Sequence, residues 1–505
     1  MTQQGNMIDI DVTLKDSVYL RIDCERGIAK ELSDYFTFRI PGFQYMPAYR
    51  SRMWDGTIKL FNVHTQELYA GLIDYVEKFA VERNYSLAMP PKNEMVIDDK
   101  KVRAFAEDYL NVHSGGKKLS LHQHQADAVC HALKKDRCLL LSPTASGKSL
   151  IIYTLIRYYL DKIPKNKKIL VIVPTVSLVE QMVSDFDDYS SENGWDARSK
   201  CHKILAGADK NTSKRVVSST WQSIFKQPHN YFEQFGAVIL DEAHLSKAKS
   251  MTGIMTKLKD CPYRIGTTGT LDGTTIHKLV IEGLFGRVFE VTKTKELMEK
   301  KILSTLKIDC IVMDYPLKLR ESVKKAKYQD ELKYIVSSQE RNEFIVNLCK
   351  SIKGNTLVLF QFVEGHGKIL NTLMEQKIPS NRKVFFVYGG TEAKEREEIR
   401  KIVEKETDAI IVASVGVFST GISIKRLHNI VFASPSKSRI RVLQSIGRQL
   451  RVAENKVVAR LYDIGDDLSW KSWVNHTYRH MKERIKIYES EGFEHRVVRI
   501  KVGEK

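Results

Sequence analysis

SPTASGKS, residues 142–149, is the most informative segment of this sequence. The apolar run RCLLL precedes it, and LIIYTLIRYYL, a run that suits a helix, follows it. A loop between a buried strand and a helix binds phosphate well, because its backbone N–H groups and the positive end of the helix dipole favour the same anion. Ser142 replaces the first glycine of the pattern G-x-x-x-x-G-K-[ST], but the flanking elements favour a phosphate loop over a chance surface Gly-Lys-Ser.

The side chains of this loop predict ATP and Mg²⁺ as cofactors. Lys148 can neutralise β- and γ-phosphate oxygens, and the Ser149 hydroxyl can bind the metal ion. We expect the whole loop to hold the nucleotide, through Ser142, Pro143, Thr144, Ala145, Ser146, Gly147, Lys148 and Ser149.

An acidic segment, DEAH at residues 241–244, follows the buried run AVIL. A carboxylate at the end of such a strand can hold Mg²⁺, and its neighbour can orient and deprotonate an attacking water. We therefore assign the metal to Asp241, together with Ser149, and the role of general base to Glu242. A solvated acidic loop is the alternative for DEAH alone, but its position downstream of a phosphate loop favours catalysis.

The chain has 505 residues, a formal net charge of +19 and a hydrophobic fraction of 43%. This composition excludes a disordered or collagen-like chain, and no apolar run is long enough to span a membrane. The positive charge favours a polyanionic partner, because Lys and Arg release counterions condensed on phosphates. Seven scattered cysteines without a C-x-x-C pair predict reduced thiols and a cytoplasmic location.

The charge is distributed unevenly along the chain. Residues 1–100 carry 12 basic and 15 acidic side chains, so the positive surplus belongs to the rest of the chain. The first region is rich in aromatic residues and combines strand-like alternation with one helical run, which predicts a small α+β domain over residues 1–95. The segment 471–505 has nine basic and five acidic residues and predicts a short basic helical extension.

Between these regions, short apolar runs alternate with amphipathic helices, which is typical of parallel sheets with helices on both faces. The alternation pauses in a lysine-rich stretch between about Thr292 and Lys327. Two successive α/β lobes, over residues 96–306 and 307–470, are the simplest account. The predicted buried strands are RCLLLS, KILVIV, RVVSS, AVILDE and YRIGTT in the first lobe and NTLVLFQF, KVFFVY, AIIVAS, NIVFAS and VVARLYDI in the second.

The order of segments from about Leu121 to Arg451 resembles that of superfamily 2 helicases of the DEAH type. The matching segments are LHQHQ at 121–125, VPTVSLVEQ at 173–181, STWQS at 219–223, TTGT at 267–270, LVLFQ at 357–361, ASVGVFSTGISI at 413–424 and QSIGRQLR at 444–451. The resemblance implies two RecA-like lobes. It also implies that Gln125 reads adenine, that Gly421 contacts the nucleotide and that His244 links the ATP site to TTGT.

The segment G-R-x-x-R places Arg448 and Arg451 three residues apart, on one face of a helix. An arginine that reaches the γ-phosphoryl group from a facing lobe can raise the transfer rate by about 10³–10⁵. We predict both as catalytic, with a pair of solvated helix arginines as the alternative. Ser423, Ser445 and Gly269 depart from the family pattern, and none of them removes a metal ligand, base or arginine finger.

Seven residues of the other matching segments, all but one of them polar, are predicted to contact the sugar-phosphate backbone of a nucleic-acid strand without reading its sequence, as in similar enzymes. They are Pro174, Thr175, Thr220, Gln222, Gln361, Ser419 and Thr420. The run AYRSRMWDGTIKLF at 48–61 resembles the small domain that precedes the motor in phage recombination helicases. We expect Arg50 and Arg52 to be exposed DNA contacts, whereas Trp54 is either a stacking platform or part of a small core.

The resemblance implies ATP-driven unwinding and branch migration of forked and four-way DNA and of RNA–DNA hybrid loops, in recombination, repair and replication restart. It implies travel in the 3′-to-5′ direction. Single-stranded DNA, recombination proteins and single-strand-binding proteins are further expected partners, and the host bacterial cytoplasm is the expected location for a phage protein. Two alternatives stay open: a duplex translocase that does not separate strands, and a nucleotide-gated binding protein with little turnover.

Overall fold

The computed structural model describes residues 8–503, apart from 41, 92–95, 206, 248, 272–274, 421–423, 425, 436–446 and 448–457, and without the side chains of 246, 247, 275, 276, 393 and 418–420. Contacts divide the chain into two compact units. One consists of Met1–Ser142 and Gly147–Val291, and the other of Pro143–Ser146 and Thr292–Lys505. No helix in the described part of the chain combines the length and apolar character needed to cross a bilayer.

The amino-terminal domain is built on a small mixed sheet of order β5-β2-β1-β6. Strands β1 and β2 pair antiparallel and alternate buried and exposed side chains, so that one face of the sheet lies on the helices. The predicted α+β fold is confirmed. Its elements are β1 Ile10–Leu14, β2 Tyr19–Cys24, α1 Arg26–Tyr35, β3 Thr37–Arg39, α2 Pro47–Arg50, β4 Thr57–Lys59, β5 Glu67–Tyr69, α3 Ile73–Arg83 and β6 Leu87–Ala88.

This domain packs tightly against the first lobe. A Cβ built on Gly71 would overlap the backbone of Glu282 and come within 2.8 Å of Gly283 O, so glycine is needed there for close approach. The Tyr75 hydroxyl donates to Glu282 Oε2 at 2.6 Å, and Glu282 is completely buried. The amino-terminal domain and the first lobe therefore form one compact unit.

The first lobe contains a seven-stranded, all-parallel sheet of order β11-β12-β10-β13-β14-β9-β15, with apolar cores on both faces. All five predicted strands are present, and β11 and β15 are additional edge strands. The elements are α4 Asp99–Ala104, β7 His113–Ser114, β8 Lys117–Lys118, α5 Gln123–Lys135, β9 Arg137–Leu141, α6 Lys148–Lys162, β10 Lys168–Val173, α7 Val176–Tyr189, α8 Ala197–Lys200, β11 Cys201–Ile204, β12 Val216–Thr220, α9 Trp221–Ile224, α10 His229–Phe232, β13 Phe235–Asp241, α11 Lys249–Lys257, β14 Tyr263–Thr268, α12 Thr275–Phe285 and β15 Val288–Glu290.

The second lobe repeats this architecture, with a seven-stranded parallel sheet of order β18-β19-β17-β20-β21-β16-β22. Two RecA-like parallel-sheet lobes are thereby confirmed. The elements are α13 Thr294–Glu299, β16 Thr305–Asp314, α14 Leu317–Ser322, α15 Tyr328–Ser337, α16 Gln339–Ser351, β17 Thr356–Phe360, α17 Lys368–Lys377, β18 Val384–Val387, α18 Ala393–Lys405, β19 Ile410–Ser414, α19 Val415–Thr420, β20 Asn429–Phe432, β21 Val458–Asp467, α20 His476–Ser490 and β22 Glu494–Lys501.

The ends of the second lobe differ from the sequence prediction. The lysine-rich stretch expected to interrupt the alternation contains β16, whose exposed Lys307 breaks its apolar run but whose other residues are mostly buried. The lobe begins at Thr292 rather than at residue 307, because Leu297 and Leu303 pack into its core. The segment from Lys471 is not a separate extension, since β22 pairs with β16 over eight residues.

Candidate ATP site and nucleic-acid interface

The phosphate loop joins β9 to α6, as the sequence predicts. The Ser142 N–H donates to the Thr268 carbonyl at 2.8 Å, which ties the start of the loop to β14. Two loop residues have left-handed backbones, Ala145 with φ 67° and Gly147 with φ 86°. Turns of this kind point successive amides toward one anion, and the helix N-terminus at Lys148 adds its dipole.

Gln125 lies beside this loop. A Cβ built on Gly147 would overlap the Gln125 amide nitrogen, and its φ of 86° is one that other residues rarely adopt, so both observations favour glycine here. Gln125 is 4% exposed, and its Oε1 accepts from the His122 N–H at 2.9 Å at the start of α5. The side chain thus supports the loop directly, and adenine recognition by Gln125 stays a prediction.

The two residues that begin α6 carry the predicted phosphate and metal contacts. Lys148 Nζ donates to the Ser142 carbonyl at 3.3 Å, which folds the amine back over the loop. Ser149 is half-buried in the first turn. Within the loop, the Ser146 hydroxyl donates to the Pro143 carbonyl at 2.6 Å, while Thr144 lies between them.

Asp241 ends β13 next to the ends of β14 and β10. Its Oδ1 accepts from the Thr267 hydroxyl at 2.8 Å and from the Glu242 N–H at 3.0 Å. Burial raises the pKa of Asp241, the negative charge of Glu242 raises it further, and Lys148 and the Thr267 hydroxyl act in the opposite direction. A nearby divalent cation would hold this carboxyl ionised.

Glu242 has a left-handed backbone, with φ 56°, which is uncommon outside glycine and clusters at functional sites. Its Oε1 lies 4.0 Å from Lys148 Nζ, and its Oε2 lies 3.3 Å from His244 Nδ1. His244 Nδ1 also lies 3.0 Å from the Thr268 hydroxyl, which donates to the Thr270 carbonyl. Because the Thr268 hydroxyl donates its only proton to the Thr270 carbonyl, His244 Nδ1 is the donor in its contact with Thr268.

The structure therefore brings the predicted ATP-site residues of the first lobe to one edge of one sheet, and it adds two that the sequence does not single out. Thr267 orients Asp241, and Thr268 contacts His244; the only sequence signal for either is the segment TTGT at a strand end. An amine, a hydroxyl and a carboxylate beside a helix N-terminus fit a Mg²⁺–triphosphate.

The predicted nucleic-acid contacts of the first lobe lie at the same sheet edge, on neighbouring strands. Val173 pairs with Thr220 in register, so Pro174 and Thr175 follow β10 directly beside the end of β12. Thr175 caps α7 through its hydroxyl, and the Thr220 hydroxyl lies 3.0 Å from that of Ser223. Thr220 is only 4% exposed, whereas Gln222 is exposed.

In the second lobe, Gln361 is exposed and immediately follows β17. Its N–H donates to the Ser434 hydroxyl at 3.1 Å, and this hydroxyl lies 2.9 Å from His366 Nδ1. His366 Nε2 lies 3.1 Å from Asn342 Oδ1, so a buried chain of polar groups fixes the backbone of Gln361. The sequence gives no signal for this chain, because its members are far apart.

Several predicted residues cannot be placed. Arg448, Arg451 and Gly421 lie outside the described residues, as do Ser423 and Ser445. Helix α19 includes Ser419 and Thr420, but their side chains are not described.

The aromatic segment of the amino-terminal domain lines an open cleft of about 600 Å³. Arg50 and Arg52 are exposed there, as predicted, and the Arg52 backbone is left-handed with φ 59°. Trp54 is half-buried, and its indole N–H donates to the Thr57 carbonyl at 2.7 Å. Trp54 therefore belongs to the cleft wall and not to the closed core of the domain.

Three family matches follow one another along the chain in the order of its domains. Residues 9–90 match the family described as DNA helicase UvsW, N-terminal. Residues 118–273 match the type III restriction enzyme res subunit, and residues 340–453 match the helicase conserved C-terminal domain.

Individual relatives extend these matches over nearly the whole chain. The ATP-dependent DNA helicase uvsW of Enterobacteria phage T4 is 35% identical over 506 residues, which is 96% of this chain and 98% of the relative. The crystal structure of T4 UvsW has 33% identity and a TM-score of 0.52, and the match covers 98% of this chain and 100% of that one. The DNA 3′-5′ translocase XPB2 of Sulfurisphaera tokodaii is 23% identical over 381 residues, 68% of this chain and 81% of the relative. The chain belongs to the UvsW family of superfamily 2 ATP-dependent DNA helicases.

Proposed function

We propose that this helicase couples ATP hydrolysis to unwinding and branch migration of forked DNA, four-way DNA and RNA–DNA hybrid loops. The observation that carries the proposal is the convergence of Lys148, Asp241, Glu242 and Thr267 at one sheet edge. This convergence occurs in a chain that matches T4 UvsW over nearly its full length.

The ATP chemistry follows from the side chains at that edge. Lys148 and loop residues 142–147 would hold the phosphates, and Ser149 and Asp241 would hold Mg²⁺, which supplies charge neutralisation when bound. Glu242 would accept the proton of the attacking water, since its carboxylate lies 4.0 Å from Lys148 Nζ and 3.3 Å from His244 Nδ1. Gln125 and Gly421 as nucleotide contacts, and Arg448 and Arg451 as arginine fingers, are proposed from the family resemblance.

Grip on DNA would come from the strand ends next to the ATP site. Pro174, Thr175, Thr220 and Gln222 of the first lobe, and Gln361, Ser419 and Thr420 of the second, are proposed to contact sugar and phosphate. Arg50 and Arg52 would add contacts from the amino-terminal cleft. Contacts to the backbone carry no sequence information, so we propose recognition of DNA shape.

His244 supplies a physical connection between hydrolysis and grip. Its Nδ1 contacts both the general base Glu242 and Thr268, and Thr268 leads into the segment that follows β14. A change in the charge around Glu242 on hydrolysis would therefore be felt by Thr268. We propose that this contact transmits the nucleotide state to the DNA-binding edge.

Strand displacement on matched fork, four-way, RNA–DNA hybrid and blunt substrates, with ATP and with Glu242→Gln as the inactive control, tests this function. The proposal expects displacement of the branched and hybrid substrates by the wild-type chain only. Movement along blunt duplex without strand separation would favour the duplex translocase, and DNA binding without turnover would favour the nucleotide-gated binding protein. Recombination and single-strand-binding proteins as partners, and the cytoplasm as the location, belong to the same proposal.

A further inference from the structure

The second lobe carries a tight turn just after β21. Trp470 and Trp473 exchange backbone hydrogen bonds across it, with N–O distances of 3.0 and 2.9 Å. Lys471, at the tip, has a left-handed backbone with φ 51°. Such a conformation is unfavourable for a lysine and persists only where the surroundings enforce it. The turn therefore carries an exposed lysine, and a half-buried tryptophan lies on each side of it in the sequence.

Exposed cations without carboxylate partners continue from this turn onto α20. Among the residues that the structure describes, Lys471, Arg479 and Lys482 form no ion pair. Lys471 Nζ lies 5.8 Å from the ring centre of Trp470, and Lys482 Nζ lies 4.6 Å from that of Tyr478. Farther along the helix, by contrast, Lys486 pairs with Glu483 at 3.1 Å.

Trp470, Lys471, Trp473, Tyr478, Arg479 and Lys482 thus form a basic aromatic patch. Lys471 and Lys482 lie beside aromatic rings, and Arg479 Nη2 lies 3.3 Å from His476 Nδ1. The ligand complementary to such a surface carries regularly spaced negative charges and flat unsaturated rings. Single-stranded DNA has both, because its unpaired bases stack on aromatic side chains while its phosphates meet Lys and Arg.

A buried polar network holds the patch in place. Asn475 is completely buried; its Oδ1 accepts from the Leu468 N–H at 3.0 Å, and its Nδ2 donates to Glu331 Oε1 at 2.7 Å. Glu331 is 1% exposed and also accepts from the His476 N–H at 2.9 Å and the Thr477 N–H at 2.7 Å. A satisfied network of this kind rigidifies its surroundings, so the turn and the start of α20 are pre-organised for binding.

The patch lies at the edge of the second sheet that already carries Gln361. All strands of this sheet are parallel, and β21 is two strands from β17 in the order β17-β20-β21. Phe432 pairs with both Leu359 and Asp463, so β21 continues three residues beyond the level at which β17 ends. With a strand spacing of about 4.8 Å and a rise of about 3.3 Å per residue, the two strand ends are about 14 Å apart. A short segment of single strand is long enough to span that distance.

We propose that the basic aromatic patch is a binding site for single-stranded DNA, in addition to the contacts expected from the family resemblance. Lys471, Arg479 and Lys482 contact phosphates, and Trp470 or Trp473 stacks on a base. The inference rests on the proposed function and names a further contact through which the motor holds its substrate.

The test compares two full-length double variants that carry the same change in charge. Lys471→Glu/Arg479→Glu removes two cations of the patch, and Lys350→Glu/Lys353→Glu removes two exposed lysines that precede β17, at the other end of the strands. Binding of oligo(dT) without nucleotide is followed by fluorescence anisotropy at several salt concentrations. Each phosphate contact to a single strand contributes about 0.7 to the slope of log K against log salt, so the patch variant should lose about 1.4 from its slope.

A stacking variant gives an independent measurement. Trp470→Ala or Trp473→Ala should weaken oligo(dT) binding by about 5- to 150-fold, the range that follows from about 1–3 kcal/mol per stacked base. Charge reversals at exposed positions leave the core intact, so equal thermal melting of the two double variants serves as the folding check.

The outcomes separate this site from the proposed function. A wild-type chain without DNA-stimulated ATP hydrolysis would overturn the proposed function itself. If the wild-type chain is stimulated and both double variants bind oligo(dT) with the same affinity and salt slope, the patch does not bind single-stranded DNA. An acidic protein surface would then be the better candidate for its partner.

Discussion

The carboxyl edges of the two parallel sheets are built for different purposes. In the first lobe, the strand ends present ionisable groups that solvent reaches: the side chains of Lys148 and Glu242 are 15% and 20% exposed. In the second lobe, the end of β21 carries carboxylates that solvent does not reach, and the ion pair of Arg341 with Asp466 is 0% exposed on both sides. The edge of the first sheet thus carries accessible ionisable groups, whereas the end of β21 in the second sheet carries buried groups that stabilise the fold.

This difference predicts two kinds of mutational effect. Groups that stay accessible in a strained loop, as Glu242 does, affect the transition state more than the folded state. Buried groups that satisfy one another affect the stability of the fold, because removing one leaves the other without its partner. Substitutions of Lys148 or Glu242 should therefore change rates, and those of the buried pair Arg341 and Asp466 should change the unfolding free energy.

The largest expected effect belongs to Glu242→Gln. The substitution keeps the size of the side chain and removes the carboxylate that we propose as the acceptor of a proton from water. General-base catalysis contributes about 10²–10⁴ in rate, so DNA-stimulated ATP hydrolysis should fall by at least that range. A phosphate-release assay at saturating DNA and ATP measures the loss.

The thermal unfolding midpoint of Glu242→Gln should stay near that of the wild-type chain. Relief of the left-handed strain is not expected, because glutamine meets the same backbone restriction. A variant that hydrolyses ATP normally, or one that loses rate only because it has unfolded, would contradict the assignment of the first edge to catalysis.

The second expected effect tests whether the buried polar groups around Asp466 stabilise the second lobe. Asp466 Oδ1 accepts from Arg341 Nε at 2.8 Å and from the Tyr315 hydroxyl at 2.9 Å. Asp466→Ala leaves the buried Arg341 charge uncompensated, which costs about 3–5 kcal/mol of unfolding free energy. Denaturant unfolding followed through the second-lobe transition measures this cost, with exposed Asp330→Ala as the control. Equal midpoints for the two variants would show that the buried pair does not hold the fold.

The sequence predicts the elements of the fold better than their limits. Uninterrupted apolar runs such as KILVIV mark strands buried on both faces, and ten of the fourteen strands of the two large sheets are predicted in this way. Strand β16 is not predicted, because Lys307 and Asp309 interrupt its apolar pattern. Strand β22 is not predicted, because an edge strand rich in Arg and Lys lacks the apolar run of a buried strand.

The sequence likewise predicts some residues of the candidate site and misses others. Local motifs identify Lys148, Asp241 and Glu242, since loop chemistry and strand ends are encoded in a few adjacent residues. The partners Thr267 and Thr268 depend on the pairing of β14 with β13 and β9, and a single sequence does not reveal strand order. The hydrogen-bonded side chains of Asn342, His366 and Ser434 are spread over more than ninety residues of sequence, and they come into contact only in the folded lobe.

The third prediction concerns the pH dependence of the second edge. Burial, together with the nearby charge of Arg341, lowers the pKa of His366 to about 3. The unfolded chain binds a proton at this residue near pH 6.5, and the folded chain does not bind it until about pH 3. Acid therefore favours the unfolded chain between these values, and the unfolding free energy falls by about 1.4 kcal/mol for each pH unit lost.

His366→Gln removes this proton uptake while keeping an amide that can hydrogen-bond. The slope of unfolding free energy against pH should be shallower by about 1.4 kcal/mol per pH unit between pH 4 and 6. Urea titrations at several pH values measure it, and exposed His64→Gln provides the matched loss of a histidine. An unchanged slope in His366→Gln would mean that His366 is not held neutral in the folded lobe.

The smallest expected effect concerns the contact between His244 and Thr268, which we propose to link the ATP site to the DNA-binding residues of the first lobe. Thr268→Val keeps the shape of the side chain but removes the hydroxyl that lies 3.0 Å from His244 Nδ1 and donates to the Thr270 carbonyl at 2.9 Å. Each hydrogen bond contributes about 0.5–1.5 kcal/mol, so the ratio of DNA-stimulated to basal ATP hydrolysis should fall by about 2- to 13-fold. Thr268→Ser retains the hydroxyl and should retain the ratio, since the contact and not the methyl group carries the coupling. If valine lowers the basal and the stimulated rates equally, Thr268 supports the ATP site without transmitting its state.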